Sequence, residues 1–187
     1  MKYYQKYESP LGTLLLAADD VGLNGVWIEG QKYCAPGIDT SQWENDIVVL
    51  EQMGQESHVL ELAKRWLDIY FTGKEPEFQV PLHVSGTDFQ KEVWEILRTI
   101  PYGQTMTYGE IARQIAERRG LRRMSAQAVG GAVGRNPVGI IVPCHRVVGS
   151  DGSLTGYAGG IERKQALLTI EGTMKDGYYV PKKSKAP

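Results

Sequence analysis

The sequence predicts an α+β fold, in which a small N-terminal antiparallel sheet with a helix precedes a mainly helical, winged-helix-like C-terminal domain with a helix-turn-helix. Three observations predict it. Short apolar or aromatic runs separated by turn residues fill the first 29 positions. Apolar residues recur at helical spacing from residue 57 onward. Between the two patterns, residues 74–86 contain two prolines and a glycine, which is typical of a linker.

The first half is expected to form three strands and one helix. The strands are Lys2–Glu8, Thr13–Ala18 and Leu23–Ile28, joined by turns that contain Gly, Pro, Ser and Asp. Residues 30–47 carry no periodic pattern and are expected to be irregular. The helix covers residues 57–71, which begin with a serine that is a suitable N-cap.

The second half is expected to be helical over Thr87–Ile100, Thr107–Glu117, Ser125–Val133 and residues 161–171. The middle two helices are separated by the short basic turn Arg118–Arg123, so together they resemble a helix-turn-helix. The apolar run Val138–Val142 is predicted to be a buried strand that ends just before Cys144.

Charge divides the chain into the same parts, although its net charge is only −1. Residues 1–85 hold 6 Lys and Arg against 13 Asp and Glu, whereas residues 86–173 hold 11 against 8. Residues 174–187 hold 4 against 1 and are expected to form a loose basic tail. We therefore predict an N-terminal supporting domain over 1–85 and a C-terminal domain over 86–173 that has an anionic partner.

Composition argues against a secreted or membrane protein. The first six residues lack the apolar core of a signal peptide, and the apolar run Leu14–Ala18 is too short to span a bilayer. The only cysteines are Cys34 and Cys144, which are expected to be free thiols in a reducing compartment. We expect a cytoplasmic protein that has no membrane partner.

Residues 143–147, Pro-Cys-His-Arg-Val, are the strongest sign of chemistry in the chain. A thiol attacks as its thiolate, so Cys144 needs a base or a positive field, and His145 and Arg146 follow it directly. By itself this pair is weak evidence, because a buried cysteine is usually a small apolar residue. Glu171 is the candidate carboxylate that would complete an activation relay.

Two further features surround this stretch. The predicted helix over Ser125–Val133 contains Gly130-Gly131, and interior glycines cost roughly 1 kcal/mol each relative to alanine. The pair permits either close packing or the approach of a ligand such as a nucleic-acid groove. Arg118-Arg119 and Arg122-Arg123 precede this helix and Arg135 follows it, either as phosphate contacts or as a solvated basic loop.

The remaining motifs are loops. Asn136 precedes a proline, so it is a turn residue or a side chain that holds a reactive loop through backbone hydrogen bonds. Residues 156–160, Gly-Tyr-Ala-Gly-Gly, form a surface hairpin or a lid whose tyrosine packs on a planar ligand. The Cys and His residues show no metal-ligand spacing, so we expect no metal site.

Taken together, these motifs closely resemble the O6-alkylguanine-DNA alkyltransferases, also called methylated-DNA–protein-cysteine methyltransferases. The resemblance is strong over residues 86–173 and looser before them, where it implies a ribonuclease-H-like supporting domain. It rests on the order and spacing of five segments, namely 128–132, 135–137, 143–147, 156–160 and 171–172.

The resemblance implies that Cys144 accepts an alkyl group from O6 of guanine, and from O4-methylthymine, in a single irreversible displacement without a cofactor. It implies that His145 acts as base through a water, that Glu171 orients His145, and that Asn136 holds the reactive loop. Tyr108 would bond the minor-groove edge of the flipped base, and the backbone of Cys144 and Val147 would bind its amino group. Three further residues, Tyr157, Ala158 and Gly159, would line the pocket.

The resemblance also implies a partner, double-stranded DNA that contains O6-alkylguanine, bound by a monomer. The glycine-rich helix would enter the minor groove, and arginines would contact phosphates. The residues expected at this interface are Arg122, Arg123, Gln127, Ala128, Gly130, Gly131 and Arg135.

One position departs from the family pattern. The family often carries an arginine between the two alanines of the recognition helix, where it fills the gap left by the flipped base. Gln127 occupies that position here and is shorter and uncharged. We therefore predict weaker base extrusion or weaker DNA affinity, for which Arg122 and Arg123 could compensate.

Three alternatives remain at this stage. Non-repairing relatives bind alkylated DNA as a flag, but they lack the acceptor cysteine that is present here as Cys144. A cysteine hydrolase would use Cys144, His145 and Glu171, but its His and Cys are rarely adjacent in sequence, and it would need an oxyanion hole. A damage-responsive regulator would need a further domain, for which 187 residues leave no room.

Overall fold

The structure is a computed structural model that describes residues 2–34 and 57–181. The described residues form two compact units. The first contains residues up to Ser85 together with Pro137–Ile141, and the second contains Gly86–Asn136 and the chain from Val142 onward. Most of the segment 30–47, which was expected to be irregular, lies outside the described residues.

The first unit contains a three-stranded antiparallel sheet. Its strands are β1 (Lys2–Ser9), β2 (Gly12–Asp19) and β3 (Leu23–Ile28), in the order β1-β2-β3. β2 is buried along most of its length because it is the central strand. Helix α1 (His58–Phe71) packs on the sheet and begins at Ser57, whose side chain accepts a hydrogen bond from the Leu60 N–H. The strands and helix predicted for residues 2–28 and 57–71 are present.

The predicted strand over Val138–Val142 is wrong. Within the described residues, its one strand-like contact is a bridge in which the Val26 N–H donates to the Pro137 carbonyl and the Val26 carbonyl accepts from the Gly139 N–H, at 2.8 and 2.9 Å. A γ-turn follows, because Ile140 has φ +68° and the Ile141 N–H donates to the Gly139 carbonyl at 2.8 Å. The apolar run reflects burial in the first unit and not strand pairing.

The second unit is mainly helical. Its helices are α2 (Asp88–Arg98), α3 (Tyr108–Arg118), α4 (Ala126–Val133) and α5 (Ile161–Ile170). A short parallel pair joins β4 (Met106–Thr107) to β5 (Val147–Val148). Thr87 and Thr107 begin α2 and α3 with capping boxes, which explains why these helix starts were predictable from sequence.

A tight turn separates α3 from α4. Gly120 adopts φ +63°, its N–H donates to the Glu117 carbonyl, and the Leu121 N–H donates to the Ala116 carbonyl at 2.8 Å. This hydrogen-bond pattern is a Schellman motif, which ends a helix and redirects the chain. The helix-turn-helix predicted from sequence is therefore formed, with α4 as its second helix.

The predicted loose tail is wrong for its described part. The Tyr178 hydroxyl lies 2.7 Å from the Thr105 hydroxyl, and the Leu154 N–H donates to the Tyr179 carbonyl at 2.9 Å. Backbone and side-chain bonds therefore dock this segment on the second unit. Within the described ranges, no helix has both the length and the apolar character needed to cross a bilayer.

Candidate active site

Cys144 lies in one buried turn of 3₁₀ helix, with only 8% of the residue exposed. An inverse γ-turn at Pro143 precedes it, because the Cys144 N–H donates to the Val142 carbonyl at 2.8 Å. The same carbonyl accepts a hydrogen bond from the Asn136 side-chain amide at 2.8 Å. Asn136 therefore fixes the backbone two residues before the thiol.

The resting thiol is neutral. Burial raises the pKa of Cys144 above its ordinary value, and this outweighs a hydrogen bond from Asn136 and the charge of Lys164, both of which lower it. A buried neutral thiol is a poor nucleophile until a base removes its proton. The site therefore needs a proton acceptor close to Cys144.

His145 is fully buried and paired with Glu171. Its Nε2 lies 2.6 Å from the Glu171 carboxylate, and burial is the main reason why the pKa of His145 is lowered, so the ring is neutral at pH 7. An ionised carboxylate only accepts hydrogen bonds, so Nε2 must carry the hydrogen. The lone pair is then on Nδ1, which makes Nδ1 the nitrogen that can accept a proton.

Arg146 acts on Glu171 and not on the thiol. Its guanidinium donates two hydrogen bonds to the Glu171 carboxylate at 2.8 and 3.0 Å and a third to the Ile100 carbonyl at 2.7 Å. Burial alone would raise the pKa of Glu171, but His145 and Arg146 together lower it to about 2. The expectation that Arg146 supplies positive charge to Cys144 is thus corrected, because its charge is neutralised by the carboxylate.

Lys164 is the cation that the sequence analysis missed. It is fully buried in α5, and its ammonium donates to the carbonyls of Val147 and Thr155. Burial lowers its pKa to about 8, and its charge favours the ionised form of Cys144. The available signal was its spacing, because Lys164 precedes Leu167 by three positions and Glu171 by seven, which places all three on one helix face.

Tyr108 and Tyr157 lie in the same part of the second unit. The Tyr108 hydroxyl donates to the Thr155 carbonyl at 2.9 Å, and a Cβ at Gly156 would lie 2.6 Å from that hydroxyl. Tyr157 is buried, which together with the nearby Cys144 keeps the pKa of its phenol well above the ordinary value. Both hydroxyls therefore stay protonated at neutral pH and can serve as hydrogen-bond donors.

The other residues expected around the pocket lie close in sequence to these contacts. Val147 is buried in β5, and its carbonyl, expected to bind the base, already accepts from Lys164 but has a second lone pair. Ala158 is half-buried. Gly159 is buried, and its carbonyl accepts a hydrogen bond from Arg163 at 3.0 Å.

The glycines of α4 are not required by packing within the protein. A Cβ at Gly130 would have the Tyr108 ring as its nearest neighbour at 3.8 Å, and one at Gly131 would lie 3.5 Å from Arg135. Both are ordinary contact distances, so alanine would fit at either position. Ala126, Gln127 and Ala128 are exposed at the start of the helix. Close packing within the protein therefore does not account for the glycine pair.

The arginines around α4 fall into two groups. Arg119 donates to Glu92 at 2.8 Å and lies over the Phe89 ring, so its guanidinium is held by α2. Arg122 and Arg123 are exposed in the turn. Arg135 is exposed after the helix, where it also donates to the Gly131 carbonyl at 3.1 Å.

A metal site is not formed in the described part of the chain. Across residues 2–34 and 57–181, no three His, Cys, Asp or Glu side chains gather closely enough to hold an ion. Cys34 is a half-buried thiol beside the apolar cluster of Leu15, Ala17 and Trp27.

Comparisons with known proteins agree across both halves. Residues 88–173 match the family described as the 6-O-methylguanine DNA methyltransferase DNA-binding domain, and residues 2–84 match the ribonuclease-like domain of the same methyltransferase. A methylated-DNA–protein-cysteine methyltransferase of Methanosarcina acetivorans is 44% identical over 91% of this chain and 99% of its own length.

Solved structures give the same result. The Mycobacterium tuberculosis O6-methylguanine methyltransferase is 41% identical, with a TM-score of 0.71 over 94% of this chain and 96% of that chain. M. tuberculosis OGT in complex with DNA is also 41% identical, with a TM-score of 0.66 over 90% of this chain and 91% of that chain. The chain thus belongs to the 6-O-methylguanine DNA methyltransferase family.

Proposed function

We propose that this protein repairs DNA by direct reversal, moving the alkyl group of O6-methylguanine in duplex DNA onto Cys144 in one irreversible turnover. The observation that carries the proposal is that Cys144, His145 and Glu171 are all buried in a chain of this family. Cys144 and His145 are adjacent in sequence, and the His145 and Glu171 side chains are hydrogen bonded. The cysteine is at once nucleophile and final acceptor, so each molecule acts once and no cofactor is required.

The displacement balances without another reactant. Sγ of Cys144 attacks the methyl carbon, a C–S bond forms, and the bond between that carbon and O6 breaks. The bonding electron pair stays on the guanine, which takes one proton from water and returns to its normal form, while His145 releases the thiol proton to water, so that the protons balance. The thiol proton passes to Nδ1 of His145 through a water, as the neutral ring allows.

Glu171 and Arg146 act through His145. Glu171 accepts from Nε2 at 2.6 Å and so fixes the tautomer that leaves Nδ1 basic. The two hydrogen bonds from Arg146 keep that carboxylate ionised in the protein interior. Asn136 holds the Val142 carbonyl and thereby the turn that carries Cys144.

Binding of the flipped base is assigned to the residues around the thiol. Tyr108 donates to the minor-groove edge of the base, which requires its hydroxyl to leave the Thr155 carbonyl. The backbone of Cys144 and Val147 binds the exocyclic amino group, and three residues line the pocket around the oxygen, namely Tyr157, Ala158 and Gly159. A base in duplex DNA must leave the stack to reach a buried thiol, which costs a few kcal/mol.

The DNA surface is assigned to the helix-turn-helix. Helix α4 enters the minor groove with its small residues, the exposed Ala128 and the half-buried Gly130 and Gly131, so that its backbone lies close to the bases. Arg122, Arg123 and Arg135 contact phosphates, and Gln127 fills the space of the extruded base. A relative has been solved with DNA, which supports DNA as the partner.

We extend the proposal to five further properties. The protein acts as a monomer in the cytoplasm, residues 1–85 form a supporting domain, and residues 86–173 form the DNA-binding and alkyl-acceptor domain. Alkylated thymine is a second substrate.

The test is the intact mass of the protein after incubation with a duplex that carries one O6-methylguanine. We expect a stoichiometric gain of about 14 Da, which is the mass of one methylene, and no gain in Cys144→Ala. Cys34→Ala is the matched control, because it removes the other thiol and should gain the full mass. Binding of the duplex without a mass gain would identify a protein that flags damage. Repeated turnover of an ester substrate would identify a hydrolase.

A further inference from the structure

The C-terminal residues Met174–Pro181, here called the strap, lie beyond the part of the chain that the family match covers, which ends at residue 173. The strap pairs with the chain through backbone hydrogen bonds. The Leu154 N–H donates to the Tyr179 carbonyl at 2.9 Å, and the Tyr179 N–H donates to the Gly152 carbonyl at 3.3 Å. Tyr179 thereby forms a parallel bridge with Ser153.

Two tyrosine side chains add to this docking. The Tyr178 hydroxyl lies 2.7 Å from the Thr105 hydroxyl, and its ring packs on the apolar cluster of Val148, Leu154 and Leu168. The Tyr179 hydroxyl donates to the Asp151 carboxylate at 2.6 Å. Tyr178 is half-buried and contributes both ring packing and a partly buried hydrogen bond, whereas the Tyr179 hydrogen bond is exposed, so Tyr178 is the main anchor of the strap.

Gly152 is fitted to the docked strap. It adopts φ +83°, which favours glycine, and a Cβ there would lie 2.6 Å from the Gly177 carbonyl oxygen. A side chain at position 152 would therefore collide with the strap backbone. The close approach of these two segments shows that the strap is seated on a surface shaped for it.

The strap is hydrogen bonded to Gly152 and Leu154, directly before the residues assigned to the alkyl-acceptor pocket. Leu154 is followed by Thr155, whose carbonyl accepts from Tyr108 at 2.9 Å and from Lys164 at 2.8 Å. Gly156 and the buried Tyr157 come next. Any displacement of residues 152–154 would therefore be transmitted to the carbonyl that both Tyr108 and Lys164 contact.

We propose that the strap is a positioning element of the alkyl-acceptor pocket. It fixes residues 152–154 so that Thr155, Gly156 and Tyr157 keep the pocket narrow, which speeds transfer of a methyl group and restricts larger groups. This inference rests on the proposed function, since it concerns the same thiol. Preorganisation of this kind acts on the rate of the chemical step and not on DNA affinity.

The test compares chains that end at different residues. A chain ending at Thr173 lacks the strap, and a chain ending at Pro181 is the matched control that keeps it. At saturating duplex, we expect single-turnover methyl transfer to fall about tenfold in the shorter chain while benzyl transfer from O6-benzylguanine falls less. The dissociation constant for the duplex should stay within about twofold, because α4 is unchanged.

A point variant guards against a truncated chain that fails to fold. Tyr178→Ala should slow methyl transfer about threefold and raise the ratio of benzyl to methyl transfer, whereas Val180→Ala, an exposed change in the same strap, should do neither. Hydrogen exchange at the Leu154 amide should speed up only in Tyr178→Ala.

Two results would overturn the inference. One is methyl transfer within about twofold of the full chain in every folded strap variant, and the other is an equal loss of DNA affinity and transfer rate. Failure of the proposed function is distinguishable, because the unmodified full chain would then gain no methyl group in the same assay.

Discussion

The thiol site and the exposed face of α4 lie in the same unit but are built in opposite ways. Around the thiol, charged side chains are buried and bonded, as Arg146 and Glu171 are. On α4 the first residues, Ala126 to Ala128, are exposed and uncharged, and Gly130 and Gly131 are half-buried with room for a further atom. The first region depends on contacts already made within the protein, whereas the second, which we propose contacts DNA, has free space beside its glycines.

From this difference we expect the two regions to respond differently to substitution. Removing one member of a buried ionic network leaves the others without compensation, so stability and chemistry fall together. Changing a residue on the open face leaves the folded protein intact or more stable and alters only binding. Five sets of measurements test that contrast, in order of decreasing expected change.

Glu171→Gln should have the largest effect. It leaves the buried Arg146 charge uncompensated, so we expect the free energy of unfolding to fall by about 3–5 kcal/mol. Loss of the fixed His145 tautomer should slow transfer by about a hundredfold. Denaturant unfolding and single-turnover transfer measure the two effects. Glu162→Gln, an exposed change in α5, the helix that Glu171 caps, is the matched control and should alter neither.

The same variant makes a prediction about pH. The folded-state pKa of Glu171 is lowered to about 2 from an ordinary 4.5, so its contribution to stability is present above pH 4.5 and is lost as the pH falls toward 2. The stability difference between the unmodified protein and Glu171→Gln should therefore shrink over that range. A difference independent of pH between 5 and 2 would contradict the assigned ionised state.

The double variant Arg122→Ala, Arg123→Ala should weaken duplex binding about tenfold at 0.1 M salt without changing the melting temperature. The slope of log affinity against log salt should fall by about 2, because two phosphate contacts are lost. Salt titrations of binding provide both values. Lys74→Ala, an exposed change in the first unit, is the control. An unchanged salt slope would mean that the two arginines lie in a solvated loop and do not contact phosphates.

Gly131→Ala should raise stability and lower affinity, which distinguishes the two regions most directly. Because a Cβ fits at this position, the helix should gain about 1 kcal/mol. The added methyl group lies on the surface assigned to the minor groove, so duplex affinity should fall about fivefold. Thermal unfolding and binding measure these changes, and transfer from free O6-benzylguanine base should be unaffected. A loss of stability would restore close packing as the reason for the glycine.

Gln127→Arg is expected to have the smallest effect. A longer, charged side chain should fill the space of the flipped base better and should raise duplex affinity or the repair rate about threefold. Single-turnover repair at subsaturating protein reports both quantities together. If neither the duplex affinity nor the repair rate changes, glutamine at position 127 does not limit base extrusion or DNA binding.

Local signals in the sequence were enough to locate the strands, the helices and the reactive stretch at Cys144. Strands and helices were predictable because their limits depend on local signals, such as the turn glycines and the caps at Ser57, Thr87 and Thr107. Cys144 and His145 are consecutive in the chain, so no tertiary structure is needed to bring them close together. The ordered motifs were also sufficient to indicate the family to which the comparisons assign the chain.

Only the folded chain shows which side chains that are far apart in sequence come into contact. Arg146 bonds Glu171 across 25 positions and Lys164 reaches Val147 across 17, so side-chain direction and not sequence spacing sets their partners. The γ-turn at Ile140 replaced the predicted strand because an apolar run shows burial but not conformation. The tail became a strap because its tyrosines find a docking surface formed by residues far earlier in the chain, which no local pattern encodes.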